Sequence, residues 1–292
     1  VDRLLGGEPV HMVNTDPPYN VKLEPRSKNA VAGLATFAAY LSDEAKAKEA
    51  KKRLGNHQGF DLARDPSKAK PVTGRMRPKD RPLHNDFISD EAFDGLLAAW
   101  FGNLARVLLP GRAFYIWGGW SNIENYPPVL KRVGLFWHQQ FIWVKNSRVL
   151  CRKDFMLAHE WCFYGWREGA GREFFGPNNI RDVCEDKKVP QQRMVHLTEK
   201  PVELAFRAMQ YSSRTGENVI DLFGGSGSTL IAAEQTGRRA FLMELDPLYC
   251  DVIIQRWEKF TGRKAERVGV GADNAQAEEP ALAVADAVEG GA

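Results

Sequence analysis

Two periods of apolar residues alternate along this chain. Short apolar runs with no helical spacing occur at Val10–Val13, Ala113–Trp117, Leu135–Val144, Met156–Trp166, Asn218–Leu222 and Ala240–Leu245, and each reads as a buried strand. Between them lie stretches with apolar residues three and four apart. The clearest runs from Asp90 to Leu108 (Phe93, Leu96, Leu97, Trp100, Leu104, Val107), with Ser89 as N-cap and Pro110-Gly111 as its stop. Further helices are expected at Asn122–Val133, at Glu199–Tyr211 with Pro201 in the first turn, at Leu230–Thr236 with Gly237 as cap, and at Leu248–Phe260. Strands and helices that alternate in this way predict an α/β fold, a doubly wound sheet with parallel strands. Residues 167–195 show no period, and the chain has no internal repeat. At the start, Asp2-Arg3-Leu4-Leu5 before Gly6-Gly7 reads as the last turn of a helix, which suggests that sequence upstream of Val1 is missing.

Two strand ends interrupt the pattern with unusual chemistry. The first strand breaks into Asp16-Pro17-Pro18-Tyr19. Paired prolines fix φ, remove two donors and forbid helix, so a carboxylate and an aromatic ring are held on a stiff corner at the carboxyl end of a strand. Open α/β sheets place their ligands there. Taken alone, the tripeptide Asp-Pro-Pro serves equally well as a surface turn. The second interruption is Asp221-Leu222-Phe223-Gly224-Gly225-Ser226-Gly227-Ser228-Thr229, a strand, a glycine loop and a helix start. Glycines let a ligand approach the backbone, and the helix start offers unpaired N–H groups. No lysine completes a Walker A loop, and the Gly-x-Ser-x-Gly elbow fails, with Ser228 in place of its last glycine. The dinucleotide fingerprint has Leu230 in place of its last glycine. Glu244, at the end of the next strand, suits ribose hydroxyls. An adenosine-containing ligand without a pyrophosphate therefore fits better than NAD.

Charge adds a third feature. The net charge is only +3, but residues 21–84 hold fifteen Lys or Arg against seven Asp or Glu, while residues 268–292 hold five acids and no base. Ala30–Leu54 has helical spacing and Gln58–Pro82 has none, so residues 21–85 read as a basic helical and loop insertion. A basic block suits a polyanionic partner; a solvated linker would look the same. The tail, 268–292, reads as disordered and acidic. Hydrophobic residues make up 43% of the chain and charged ones 26%, ordinary for a soluble globular protein. No apolar run approaches membrane-spanning length. Four scattered cysteines and six dispersed histidines suggest reduced thiols in a cytoplasmic protein and no metal site.

The Asp-Pro-Pro-Tyr corner and the Asp-Leu-Phe-Gly-Gly-Ser-Gly-Ser-Thr loop, in that order, resemble the S-adenosylmethionine-dependent amino-methyltransferases of DNA, in their permuted β group. His196-Leu197-Thr198-Glu199-Lys200-Pro201 is similar to that family's third signature. The resemblance covers residues 10–20 and 86–262, without the Gly-Asp strand that usually precedes the first motif. It implies a Rossmann-like methyltransferase sheet, with residues 1–20 and 86–267 as one catalytic domain and 167–195 as a short target-recognition segment. It further implies S-adenosylmethionine as cofactor and double-stranded DNA as partner; a homodimer and an upstream domain stay open.

Roles follow from the resemblance. Asp16 and the Pro17 carbonyl would hold the target amine, Pro18 would stiffen the corner, and Tyr19 would stack on a flipped base. Lys200 and Asp221 would face the carboxylate and ammonium ends of the cofactor's methionine. Thr198, Phe223, Gly225, Gly227, Ser228 and Thr229 would shape its pocket, and Glu244 would accept from its ribose. Lys51, Lys52, Arg53, Arg75, Arg77, Arg172 and Arg181 are the expected DNA contacts. For Lys200 a solvated first-turn lysine is the plainer alternative. The pair His159-Glu160 is read as structural, and Trp117 and Trp120 as candidates for the pocket wall. Aspartate at position 16 leans towards adenine N6. Cytosine N4, a catalytically silent DNA-binding module, and a methyltransferase of RNA or protein remain as alternatives.

Overall fold

The computed structural model describes residues 1–20, 88–149, 155–186 and 199–268. After a short helix α1 (Asp2–Leu5) come β1 (Met12–Thr15), α2 (Asp90–Val107), β2 (Ala113–Gly118), a 3₁₀ turn (Trp120–Asn125), α3 (Tyr126–Arg132), β3 (Leu135–Val149), β4 (Leu157–Arg167), β5 (Val183–Cys184), α4 (Val202–Ser212), β6 (Asn218–Asp221), α5 (Ser228–Thr236), β7 (Arg239–Leu242) and α6 (Pro247–Thr261). The strands form one seven-stranded sheet in the order β5-β3-β4-β2-β1-β6-β7.

Alternation along the strands builds two cores. Val13, Phe114, Ile116, Phe163 and Ile220 face α2 and α3, where Phe93, Leu97, Phe101, Leu104 and Tyr126 meet them. Their neighbours Met12, Tyr115, Trp117, Cys162, Tyr164 and Val219 face the other way, onto Leu204, Ala208 and Met209 of α4 and Ala232 and Ala233 of α5. Both faces of the sheet are therefore covered, which is why its strands read as continuous apolar runs.

The expectation of parallel strands holds for only part of the sheet. β1 runs parallel to β2 and β6, and β6 to β7, but β4 runs antiparallel to both β2 and β3. No helix-length segment separates β3 from β4, so the chain returns directly as a hairpin, and a hairpin can only be antiparallel. The segment 167–195 also contributes a short edge strand, β5, paired with Ile142 and Trp143.

β1 is the pivot. It has β2 on one side and β6 on the other, and the helices following β1 and β6 pack on opposite faces. The turns leaving β1 and β6 diverge there and open a crevice at the strands' carboxyl ends. Among the described residues, no helix is long and apolar enough to cross a membrane, and Cys162, Cys184 and Cys250 are free thiols. The whole basic insertion, 21–85, and the acidic tail after residue 268 lie outside the described residues.

Candidate active site

The turns after β1, β6 and β7 line one cavity of about 910 Å³. Asp16, Pro17, Pro18 and Tyr19 form one wall; Asp221, Phe223, Gly225, Ser228, Thr229 and Glu244 form another, with Lys200 between them. Gly227 caps the start of α5 rather than lining the cavity; its φ of 78° lets the chain swing from the loop into the helix. Thr198, Lys51, Lys52, Arg53, Arg75 and Arg77 lie outside the described residues.

The corner after β1 is held by side chains from distant parts of the chain. The Asn122 amide donates to the backbone carbonyls of Tyr19 (2.7 Å) and Asn20 (3.0 Å). Asn20, buried and with φ of 50°, takes the left-handed conformation that asparagine tolerates. Its side chain donates to the Ile88 carbonyl and accepts from the Ile88 N–H, both at 3.1 Å. Gly119 matters for its missing side chain, since a Cβ there would stand 2.7 Å from the Tyr19 side chain.

Both oxygens of Asp16 are engaged. The Tyr19 hydroxyl donates to Oδ1 at 2.5 Å, and the Lys200 ammonium donates to Oδ2. Lys200 also donates to the Tyr19 hydroxyl at 2.8 Å and lies 3.2 Å from Glu160 Oε2, while Lys145 pairs with Glu160 Oε1. Burial raises the Asp16 carboxyl above its ordinary value; Lys200 pulls it down and Glu160 pushes it up. Burial, with Asp16 beside it, moves the Tyr19 phenol well up, so it stays a neutral donor.

This geometry rules out one alternative and adds a partner to the corner. Lys200 does not stand apart as a solvated lysine, and among its hydrogen bonds here its partners belong to the Asp16 corner, not to the glycine loop. Its surroundings explain why: it is 7% exposed, and burial, which disfavours the ammonium, is overcome by two carboxylates. Glu160, read as merely structural, closes the same network.

The glycine loop is held by local bonds and by bonds to β1. Asp221 Oδ1 accepts from the Thr15 hydroxyl (2.8 Å) and the Phe223 N–H (3.0 Å), and Oδ2 accepts from the Thr229 hydroxyl (2.6 Å). Burial nevertheless raises its carboxyl to about 7. Thr229 in turn accepts from the Asn14 amide at 2.9 Å. The Gly224 N–H donates to the Met243 carbonyl and the Gly227 N–H to the Gly224 carbonyl, each at 2.7 Å. Glu244 lies two residues beyond the end of β7 and accepts from the N–H groups of Gly225 (2.8 Å) and Asp246 (3.0 Å), joining the loop to the start of α6.

Several cavity residues escaped the sequence reading. Trp100 meets Phe223 edge-on with ring centroids 4.8 Å apart; its place in an apolar helix stripe hid it. Glu199 pairs with Arg256 at 2.9 Å, and Arg256 also donates to the Ser226 carbonyl, clasping the segment before α4 to the loop. Trp117 lines the cavity, whereas Trp120 stands outside it against Trp161, centroids 5.9 Å apart. Arg172 and Arg181 border a separate cavity of about 230 Å³ near α4, with Arg172 over the rings of Trp166 and Phe174.

A family model described as DNA methylase, of the N6/N4 type, matches residues 10–256. The type II methyltransferase M.HinfI of Haemophilus influenzae is 22% identical over 191 residues, 59% of this chain and 52% of that protein, so the chain spans about half the length of this curated relative. Two solved structures share the fold, each with a TM-score of 0.54. One is the M1.HpyAVI–SAM complex, at 15% identity over 87% of this chain and 92% of that one. The other is the PvuII DNA methyltransferase, described as cytosine-N4-specific, at 14% identity over 90% and 88%.

Proposed function

The chain belongs to the N6/N4 DNA methylase family, and from that premise we propose that it transfers a methyl group from S-adenosylmethionine to an exocyclic amine in DNA, adenine N6 before cytosine N4. The observation that carries this reading is the convergence of the Asp16–Tyr19 corner and the glycine loop on one cavity.

The walls suit such a cofactor. Glu199 and Glu244 offer carboxylates to a molecule that carries an ammonium and a sulfonium, and Trp100, Phe223 and the half-exposed Met243 offer apolar surface to its adenine ring. When bound, the cofactor supplies an electrophilic methyl group. Glu244, already fixed by two N–H groups, is placed for ribose hydroxyls, and the loop backbone admits the ligand closely because it is glycine.

The remaining work falls to the corner. An exocyclic amine is a poor nucleophile because its lone pair is delocalised into the ring. The Asp16 carboxylate and the Pro17 carbonyl accept from its two hydrogens and bias the nitrogen towards a tetrahedral geometry; alignment with the methyl group provides much of the acceleration. A carboxyl raised by burial is well matched to take the proton that the methylated amine gives up. A duplex hides the amine, so the base must leave the stack at a cost of about a few kcal/mol. Tyr19 would stack on it, worth roughly 1–3 kcal/mol. The basic excess of residues 21–84 and the exposed Arg172 and Arg181 support a duplex as the partner.

The preference for adenine rests on the aspartate at position 16. Incubation of the protein and labelled cofactor with defined duplexes, followed by nucleoside analysis, tests it. N6-methyladenine is expected. N4-methylcytosine alone would replace the adenine reading by its alternative, and a protein that binds duplexes but methylates none would overturn the activity.

A further inference from the structure

β4 carries one charged residue between two aromatic neighbourhoods. Glu160 precedes Trp161, Cys162, Phe163 and Tyr164 and pairs across the sheet with Trp143. Its Oε1 takes Lys145, and its Oε2 lies 3.2 Å from Lys200. Lys200 reaches in the other direction to Asp16 and Tyr19, with its ammonium 5.1 Å from the centre of the Trp117 ring. Four charges thus alternate in a row: Lys145, Glu160, Lys200 and Asp16. Their side chains are between 7% and 25% exposed.

Neutralising Asp16 would require a single cation. Each additional charge taken out of water costs several kcal/mol before pairing, so the second pair calls for an explanation. The occupancy of Asp16 supplies one. With Tyr19 on Oδ1 and Lys200 on Oδ2, each oxygen already holds an internal donor, so the amine of a target base must compete with them for the carboxylate. If Asp16 were its sole counter-ion, a yielding Lys200 would be left as a buried, unpaired ammonium.

We propose that Glu160 is a positioning residue, anchored by Lys145, that shares the Lys200 ammonium with Asp16 so that one oxygen of Asp16 can pass to the target amine while Lys200 keeps a counter-ion. The proposal rests on the methyltransferase reading for its substrate, though not for its electrostatics. Burial opposes ionisation of Glu160, but Lys200 and Lys145 hold its carboxyl down at about 2, so it is charged throughout the working range. The other titratable groups facing Asp16 and Lys200 are Tyr19 on the same turn, Cys162 on β4 and Asp221 at the end of β6, with Tyr126 behind Tyr19. Burial moves Tyr19 and Cys162 well up, so neither ionises near neutrality.

Two substitutions with opposite signs test the arrangement. Glu160→Gln removes a negative charge that raises the Asp16 carboxyl, so Asp16 should titrate at lower pH. Lys145→Met removes the cation that offsets Glu160, so Asp16 should titrate at higher pH. Both shifts are read by carbon NMR of labelled aspartate carboxyls, with Asp16 identified by its loss in Asp16→Asn. On a methylatable duplex, Glu160→Gln should slow single-turnover transfer by about tenfold or more, with the cofactor dissociation constant unchanged, and Glu160→Asp should recover most of the rate. An Asp16 titration unmoved in both variants overturns the proposal, as does a Glu160→Gln rate within about twofold of the parent. If the parent protein methylates no DNA, the functional reading fails separately, and the NMR titration still decides whether Glu160 and Asp16 share Lys200.

Discussion

The two walls of the cavity are built on different plans. The corner after β1 depends on partners far away in sequence: Asn122, Gly119, Glu160 and Lys200, the last 184 residues from Asp16. The loop after β6 adds local closure, with Asp221 clasping Phe223 and Thr229 and with Gly227 bonded back to Gly224, to its ties with Thr15 and Asn14 of β1. Local closure suits a surface that must receive a ligand along its backbone. Remote closure suits a carboxylate whose charge and hydrogen-bond partners must be controlled. Binding and chemistry should therefore be separable by mutation.

The largest expected effect is at the centre of the corner. Asp16→Ala removes the acceptor for the amine and should lower transfer by about a hundredfold or more, while the cofactor dissociation constant, measured by titration, stays near that of the parent. Near-normal transfer would remove Asp16 from the chemistry, and an equal loss of cofactor binding would show that the walls are not independent.

Asp221 probes the loop through stability. Its carboxyl is raised to about 7 in the folded chain, whereas an unfolded aspartate titrates near 4. Between those values the folded form holds a proton that the unfolded form has lost, so the Asp221 contribution to stability falls as pH rises from about 4 to about 7. Asp221→Asn removes this titration. The difference between parent and variant urea midpoints should change across that window and level off above it; a constant difference would mean that Asp221 is not protonated in the fold.

The smallest effects come from two glycines. Gly119→Ala places a methyl group against Tyr19 and should slow transfer by roughly tenfold without altering cofactor affinity. Gly227→Ala meets a φ of 78° and a contact 3.2 Å from Ile253, and should do the reverse, weakening cofactor binding by about 1–2 kcal/mol with little change in the rate at saturation. Identical profiles for the two variants would end the distinction between the walls.

The same contrast explains what could be read from the sequence. The loop was legible because its signals are adjacent: an apolar strand, glycines, a helix start. The corner's backbone was equally legible from Pro17-Pro18, but its partners were not, since nothing in local spacing brings Lys200 or Glu160 to Asp16. A carboxylate inside an aromatic strand was the available sign for Glu160, and it was set aside. The burial of Lys200 and its contacts with Asp16, Tyr19 and Glu160 carry no signal in the local sequence. Strand direction was missed for β4 because a fully buried strand shows the same apolar run whichever way it points.

Asn20 has one more consequence. Its side chain exchanges two hydrogen bonds with the backbone of Ile88, so two points 68 residues apart in the chain are latched together. In terms of connectivity, the two residues close a ring of chain. The entropy of closing such a loop grows only with the logarithm of its length, about 0.6 kcal/mol for each doubling. Segments of very different length or composition could therefore be exchanged between Asn20 and Ile88 at little cost to the fold, which makes this latch a natural point for replacing one segment by another.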